Sequence, residues 1–239
     1  MGGSLSDFWW LTQNQLDRFT YLELGHSEPV DDSTRPVIQA QKYHINTIDA
    51  FRNKYHNTNI YRSLKLSDGL SANEEIIGPL IIDIDNENSL GASLVVTRQV
   101  LTYLLKQLRL SPTCDLRIFF TGHKGFNIEI RSDALGLTEK ISEHIKHSSQ
   151  ILDIIIRDMR RINNVNDICR NSVDNNNTVV DRIYGDKYNY QLKHPFIRLH
   201  DSINKWVKSS SELISRKKIE IKPHDLTDMS ITDITSKSK

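Results

Sequence analysis

Apolar positions change their period along the chain, and the changes divide it into elements. In residues 6–24, Phe8, Leu11, Leu16, Phe19 and Leu22 fall roughly on one helical face, with Ser6 and Asp7 as caps and Gly25 as a stop. Pro36 then opens a second helical stretch in which Val37, Ile38, Ile45 and Ile48 are spaced for burial. Residues 6–52 therefore read as a helical N-terminal part. Beyond it, residues 58–66 alternate as a strand does, and residues 79–85 form a short apolar run ending in acids, which suits a buried strand. Leu94, Leu101, Leu104, Leu105 and Leu108 line one face of a helix predicted over 89–109. Two strands, 115–120 and 126–130, flank the tight turn Gly122, His123, Lys124, Gly125. Ile141, Ile145, Leu152, Ile155 and Met159 predict a helix over about 138–161, and 196–199 reads as a further strand. The Asn- and Asp-rich stretch 163–177 reads as a loop, and residues 228–239, with little to bury, as a disordered tail after a domain spanning 1–227. Strands that come in hairpins rather than in strict alternation with helices give an α+β class.

Composition narrows the function less than pattern does. A chain of 239 residues with 38% hydrophobic and 26% charged residues can bury one large core or two small ones. The formal net charge is +1, so a nucleic-acid partner would have to be met by a local basic patch rather than a global field. Arg157, Arg160 and Arg161, and Arg216, Lys217 and Lys218, are the clusters available to track a nucleic-acid backbone; a solvated face is the plainer reading of each. Cys114 and Cys169 are isolated, which disfavours a disulfide framework and a thiolate zinc site and points to a reducing compartment. With no signal peptide or apolar span in view, the expectation is a cytoplasmic or nucleoid-associated protein, neither secreted nor in a membrane.

Three constellations carry candidate chemistry. Leu80, Ile81 and Ile82 lead into Asp83 and Asp85, which sit two apart and so share one face of a strand. Paired carboxylates repel unless a cation lies between them, and Mg²⁺ or Mn²⁺ suits that role. Thr121, Gly122, His123, Lys124, Gly125 and Asn127 form a glycine turn whose N–H groups, hydroxyl and charge suit phosphate oxygens. Asp186 is followed by Phe196, Ile197 and Arg198, then by Ser202, Asn204 and Lys205, a phosphate-seeking stretch. Each taken alone is also compatible with an ordinary strand end or turn.

In order and spacing, the three together resemble the archaeo-eukaryotic primase superfamily. That family's first motif is an apolar strand ending in Asp-x-Asp, here Asp83 and Asp85. Its second is Ser-Gly-x-(Lys/Arg)-Gly-x-His between two strands, here running from Thr121 to Asn127, with Thr for Ser and Asn for His. Its third is a metal-binding Asp with a basic residue twelve positions on and a His or Asn eighteen on. From Asp186 these are Arg198 (198 − 186 = 12) and Asn204 (204 − 186 = 18); Asp181 is the competing choice but breaks that register. The stretch from Asn59 to Ser63 also looks like the family's early strand.

The resemblance implies a small α/β unit packed with a sheet unit similar to an RNA-recognition module, with the active site in the cleft between. It implies a primase or primase-polymerase activity, a template-directed nucleotidyltransferase with two divalent ions, Mg²⁺ or Mn²⁺, held by Asp83, Asp85 and Asp186 and no zinc. It assigns Thr121, Gly122, His123, Lys124, Gly125, Asn127, Arg198, Ser202, Asn204 and Lys205 to the nucleotide. The implied partners are nucleoside triphosphates, a single-stranded DNA template or primer-template, and a helicase or accessory helical domain. Asn127 departs from the pattern, since it can donate a hydrogen bond but carries no charge. Two other readings stay open: a catalytically weakened domain that binds nucleotide or nucleic acid, and an Asp-x-Asp glycosyltransferase, which would need neither the glycine turn nor the third Asp.

Overall fold

The structure, a computed structural model, describes residues 5–31, 37–69, 75–86, 88–137, 141–163, 168–169, 178–182, 196–207 and 213–239. Among them the apolar run 79–85 becomes the middle of a six-stranded sheet. Its order is β14 (Ile219–Ile221), β7 (Leu116–Phe120), β8 (Gly125–Ile130), β6 (Leu80–Asp85), β10 (Thr178–Arg182) and β9 (Ile168–Cys169). Every neighbouring pair is antiparallel except β10 with β9. Period-two alternation sends Leu80, Ile82 and Ile84 of β6, Ile118 and Phe120 of β7, and Phe126, Ile128 and Ile130 of β8 into one core. Helices α3 (Leu90–Lys106) and α4 (Ile141–Asn163) cover that core with Leu94, Val100, Leu101, Leu104, Leu152, Ile155 and Met159. Each such side chain contributes about 1.5–3 kcal/mol through its burial. Ser89 caps α3 by accepting from the Ala92 N–H, and the Tyr103 hydroxyl ties α3 to α4 by donating to Asp158 at 2.9 Å. Burial first, and that bond second, push the Tyr103 hydroxyl up to about 12.

A second sheet runs β11 (Phe196–Arg198), β4 (Asn59–Ser67), β1 (Tyr21–Ser27), β3 (Gln39–His44), with β5 (Glu75–Ile77) also paired to β4. Its core gathers Phe8, Trp10, Phe19, Leu22, Leu24, Ile48, Phe51, Ile60, Leu66 and Leu199. A third, three-stranded sheet joins β13 (Leu213–Lys217), β12 (Ile203–Val207) and β2 (Val30–Asp31). The class is mixed α+β with mostly antiparallel sheets, as the hairpin pattern predicts.

The N-terminal part departs from expectation. Residues 6–24 are not one helix but a 3-10 turn (Leu5–Phe8), a short helix α1 (Gln13–Arg18) and β1. Thr12 and Gln15 form a reciprocal capping box that starts α1. Phe19 and Leu22 match helical spacing, but Leu22 and Leu24 are the alternating buried pair of a strand hydrogen-bonded on both edges. The stretch after Pro36 likewise enters β3 before its helix α2 (Ile48–Lys54), because β1 supplies the ladder that local pattern does not reveal. The strands β9 and β10 were also unforeseen; the rest of the Asn-rich stretch, 164–167 and 170–177, lies outside the described residues.

The expected disordered tail is a further correction. Chain segments α5 (Pro223–Asp228) and α6 (Ile231–Lys237) pack on the main core through the fully buried Leu226 and Ile234. Arg98 of α3 donates from Nε to the Leu226 carbonyl at 2.9 Å and from Nη2 to the Met229 carbonyl at 2.7 Å. The Lys217 N–H donates to the Ser238 carbonyl at 2.7 Å. Few apolar residues suffice when each is fully used, which composition alone does not show. Ile234→Ala is expected to lower unfolding free energy by about 2–5 kcal/mol in a urea titration, whereas in a disordered tail it would change nothing.

Candidate functional site

Strand β6 separates its residues by face. Ile82 and Ile84 enter the core, and Asp83 and Asp85, both half-buried, lie on the opposite side. Antiparallel register then sets Asn127 of β8 against Asp83, and Gly125 against Asp85. Asn127 is only 4% exposed, and its Nδ2 donates to Asp83 Oδ1 at 2.6 Å. At Gly125, a Cβ atom would stand 2.0 Å from Asp85 Oδ1 and 2.0 Å from the Ile84 carbonyl oxygen. The missing side chain is thus what lets Asp85 lie across the hairpin. Gly125→Ala is expected to displace Asp85 and part β6 from β8, reducing thermal stability. An unchanged melting temperature would show that the space is not needed.

On the other edge of β6 the register pairs Asp181 of β10 with Asp83. The position of Asp181 is therefore on the face that carries Asp83 and Asp85, although its spacing to Arg198 breaks the family's pattern. Asp186 lies outside the described residues. Among the described side chains, no group of three or more His, Cys, Asp or Glu gathers to hold an ion.

The glycine turn is closed by Thr121, whose N–H and Oγ1 both donate to the Gly125 carbonyl at 3.0 Å. Ser93 of α3 donates from its hydroxyl to the Lys124 carbonyl at 2.9 Å, fixing the turn to the helix that follows the acids. Gly122 has φ 83°, a conformation that favours glycine. A Cβ there would also stand 3.1 Å from Asn204 Cβ and from the Arg216 and Lys217 carbonyl oxygens. Asn204 Nδ2 donates to the Thr121 carbonyl at 3.1 Å, and the His123 ring lies 4.0 Å from that of Trp206. The second and third constellations are therefore in contact, with β12 and β13 walling the turn.

The remaining predicted residues occupy distinct places. Lys205 is held through its backbone, its N–H donating to Asn59 Oδ1 at 2.7 Å and its carbonyl accepting from Asn59 Nδ2 at 3.0 Å. Ser202 is buried, and its hydroxyl donates to the Leu199 carbonyl. Arg198, on β11, stacks 5.4 Å from the centre of the Tyr61 ring and reaches the Tyr61 hydroxyl through Nη2 at 3.4 Å. Among the described residues, its Nε is buried with no hydrogen-bond partner.

Sequence reasoning missed a buried charged cluster beside these residues. Glu129, two positions after Asn127 on β8, is 3% exposed, and Lys218 is 1% exposed. Lys218 Nζ lies 3.5 Å from Glu129 Oε1, donates to the Arg198 carbonyl at 3.2 Å and sits 4.6 Å above the Phe119 ring. Trp9 Nε1 donates to Glu129 Oε2 at 3.2 Å. The cluster ties β8 to β11 and to the N-terminal segment. Burial pulls the Lys218 ammonium down to about 8; Glu129 opposes this, and Arg62 and Arg198 reinforce it. In the sequence, Lys218 looks like part of a surface run with Arg216 and Lys217, and no local signal marks its burial at the junction of β13 and β14. Arg157, Arg160 and Arg161, by contrast, are exposed on α4.

No helix among the described residues is long and apolar enough to cross a membrane. No protein-family profile matches the chain, and no curated protein matches it. Among solved structures, the chain is similar to the polymerase domain of Mycobacterium tuberculosis ligase D, determined in complex with DNA. The TM-score is 0.57 at 11% sequence identity, with 98% of this chain and 86% of that chain covered. The likeness is one of fold: almost the whole chain follows the path of a polymerase domain.

Proposed function

We propose that this protein is a template-directed nucleotidyltransferase of the primase-polymerase kind, forming phosphodiester bonds from nucleoside triphosphates. The observation that carries the reading is the pairing of Asp83 and Asp85 with the glycine hairpin across one β ladder, within the fold of a DNA-bound polymerase domain.

The donor set fits a hard divalent cation. Asp83 and Asp85 offer carboxylate oxygens from one face of a rigid strand, and Gly125 keeps the space beside Asp85 clear. Asp83 and Asp85, with Asp186 or the register-paired Asp181 as third acid, would hold two Mg²⁺ or Mn²⁺ ions. Those ions, when bound, lower the charge barrier at the triphosphate and favour ionisation of the attacking hydroxyl. The chain's own groups orient the substrate. Lys124 brings positive charge to the triphosphate and His123 a ring nitrogen able to donate a hydrogen bond, and Arg198 brings further charge from the second sheet. Asn204 and Trp206 hold the hairpin in shape while the nucleotide binds. A single-stranded DNA template or a primer-template is the proposed macromolecular partner, with a helicase or helical accessory domain a further one.

One observation favours the weakened-site alternative. The Asn127 amide, where the family has a phosphate-contacting His, is engaged with Asp83, so the triphosphate has one contact fewer. A template-dependent extension assay separates the readings, run with ribo- and deoxynucleotides, with and without primer, in Mg²⁺ and in Mn²⁺. Incorporation directed by the template supports the enzyme. Nucleotide or DNA binding without incorporation in either metal supports the binding module.

A further inference from the structure

We infer that Asn127 is a positioning residue for Asp83 and not a phosphate ligand, an inference that rests on the reading of Asp83 as a holder of divalent cations. Asn127 sits on the central strand β8, between Asp83 of β6 and Phe119 of β7 in register. At 4% exposure it is enclosed, and its short side chain has two rotatable bonds. Its Nδ2 meets Asp83 Oδ1 at 2.6 Å, closer than an ordinary N–H···O bond and in keeping with a carboxylate acceptor. That bond engages one oxygen of the Asp83 carboxylate and restrains its rotation. Outer partners of this type orient ligating carboxylates and tune the affinity of the site.

The residue type supports the same assignment. Asn Nδ2 and His Nδ1 are both bonded to Cγ, so they stand the same number of bonds from the backbone. An Asn in place of the family's His therefore keeps the nitrogen that faces Asp83 and lacks the outer nitrogen, Nε2, that would extend toward a phosphate. What remains at position 127 is the half of an imidazole that serves the carboxylate.

The test uses the full chain, stripped of metal, titrated with Mn²⁺ alone and followed by electron paramagnetic resonance. Asn127→Leu removes the donor while filling similar volume, and thermal melting checks that it folds. Asn127→His restores a donor at the Nδ1 position. Asn127→Leu is expected to weaken Mn²⁺ binding by about 10–100-fold, and Asn127→His to recover the parent's affinity. Binding of a labelled nucleoside triphosphate in the presence of a chelator should be the same for the parent and for Asn127→Leu. Unchanged Mn²⁺ affinity in Asn127→Leu overturns the inference, as does a loss of chelator-resistant triphosphate binding. Failure of Asn127→His to recover also overturns it, and keeps the question decidable if Asn127→Leu folds poorly. Asp83→Ala is measured alongside: if it binds Mn²⁺ as the parent does, the cation reading itself fails, whatever Asn127 does.

Discussion

Asp83→Ala is expected to fold as the parent does and to lose template-dependent nucleotide incorporation, and Asp85→Ala to do the same. The two carboxylates lie on the face of β6 away from the core, whose contacts are made by Leu80, Ile82 and Ile84. Their removal leaves that packing untouched and relieves the repulsion of two like charges, which offsets the loss of Asp83 as acceptor for the Asn127 amide. The loss falls on catalysis. Charge stabilisation by a bound cation is worth several kcal/mol, and about 4 kcal/mol corresponds to roughly a thousandfold in rate. Single-turnover extension, with circular dichroism as the folding control, measures both halves of the expectation. Retained extension by Asp83→Ala removes the cation hypothesis. Asp181→Ala and Asp186→Ala belong in the same series, because register favours the first and motif spacing the second. Whichever of them matches the Asp83→Ala loss is the third acid.

The second large effect concerns stability. Lys218→Met is expected to destabilise the fold by about 3–5 kcal/mol, since it leaves Glu129 as a buried charge without its cation. Glu129 would retain only the Trp9 indole of the partners described above. The paired change, Lys218→Met with Glu129→Leu, removes both charges and is expected to recover most of the loss. The parent also carries a pH signature. The folded-state pKa of Lys218, about 8, lies below the ordinary 10.5. Between those values the unfolded chain holds a proton that the folded chain has released, so this group makes stability rise with pH across that window. Below pH 8 both states are protonated and the contribution is flat. Urea titrations from pH 7 to pH 10 should show that rise in the parent and not in the double variant. A Lys218→Met protein as stable as the parent would mean that the ammonium is not buried against Glu129.

Much of the central sheet is legible because its signal is local. The run from Leu80 to Asp85, the hairpin around Gly122 and Gly125, and the long face of α3 each declare their period within a few residues. The elements that were misread depend on distant partners. β1 takes its form from β3 and β4, and the C-terminal helices from the Arg98 clamp and two buried side chains. Of the site, the acids and the turn are visible as motifs, but their union is not. The pairing of Asn127 with Asp83 and the register of Asp181 are properties of the ladder, and the reach of Asn204 to Thr121 is a contact between two separate sheets. Lys218 is hidden for the opposite reason: a run of three basic residues suggests a surface, but its last member, the one residue between β13 and β14, turns into the interior against Glu129.

Crystals soaked with Mn²⁺ and a non-hydrolysable nucleoside triphosphate, with data collected for anomalous scattering from manganese, test the central claim most directly. The account predicts anomalous density against the carboxylates of Asp83 and Asp85, with the triphosphate lying toward the hairpin of Thr121 to Gly125. Manganese bound elsewhere, or a triphosphate seated away from that hairpin, would contradict it.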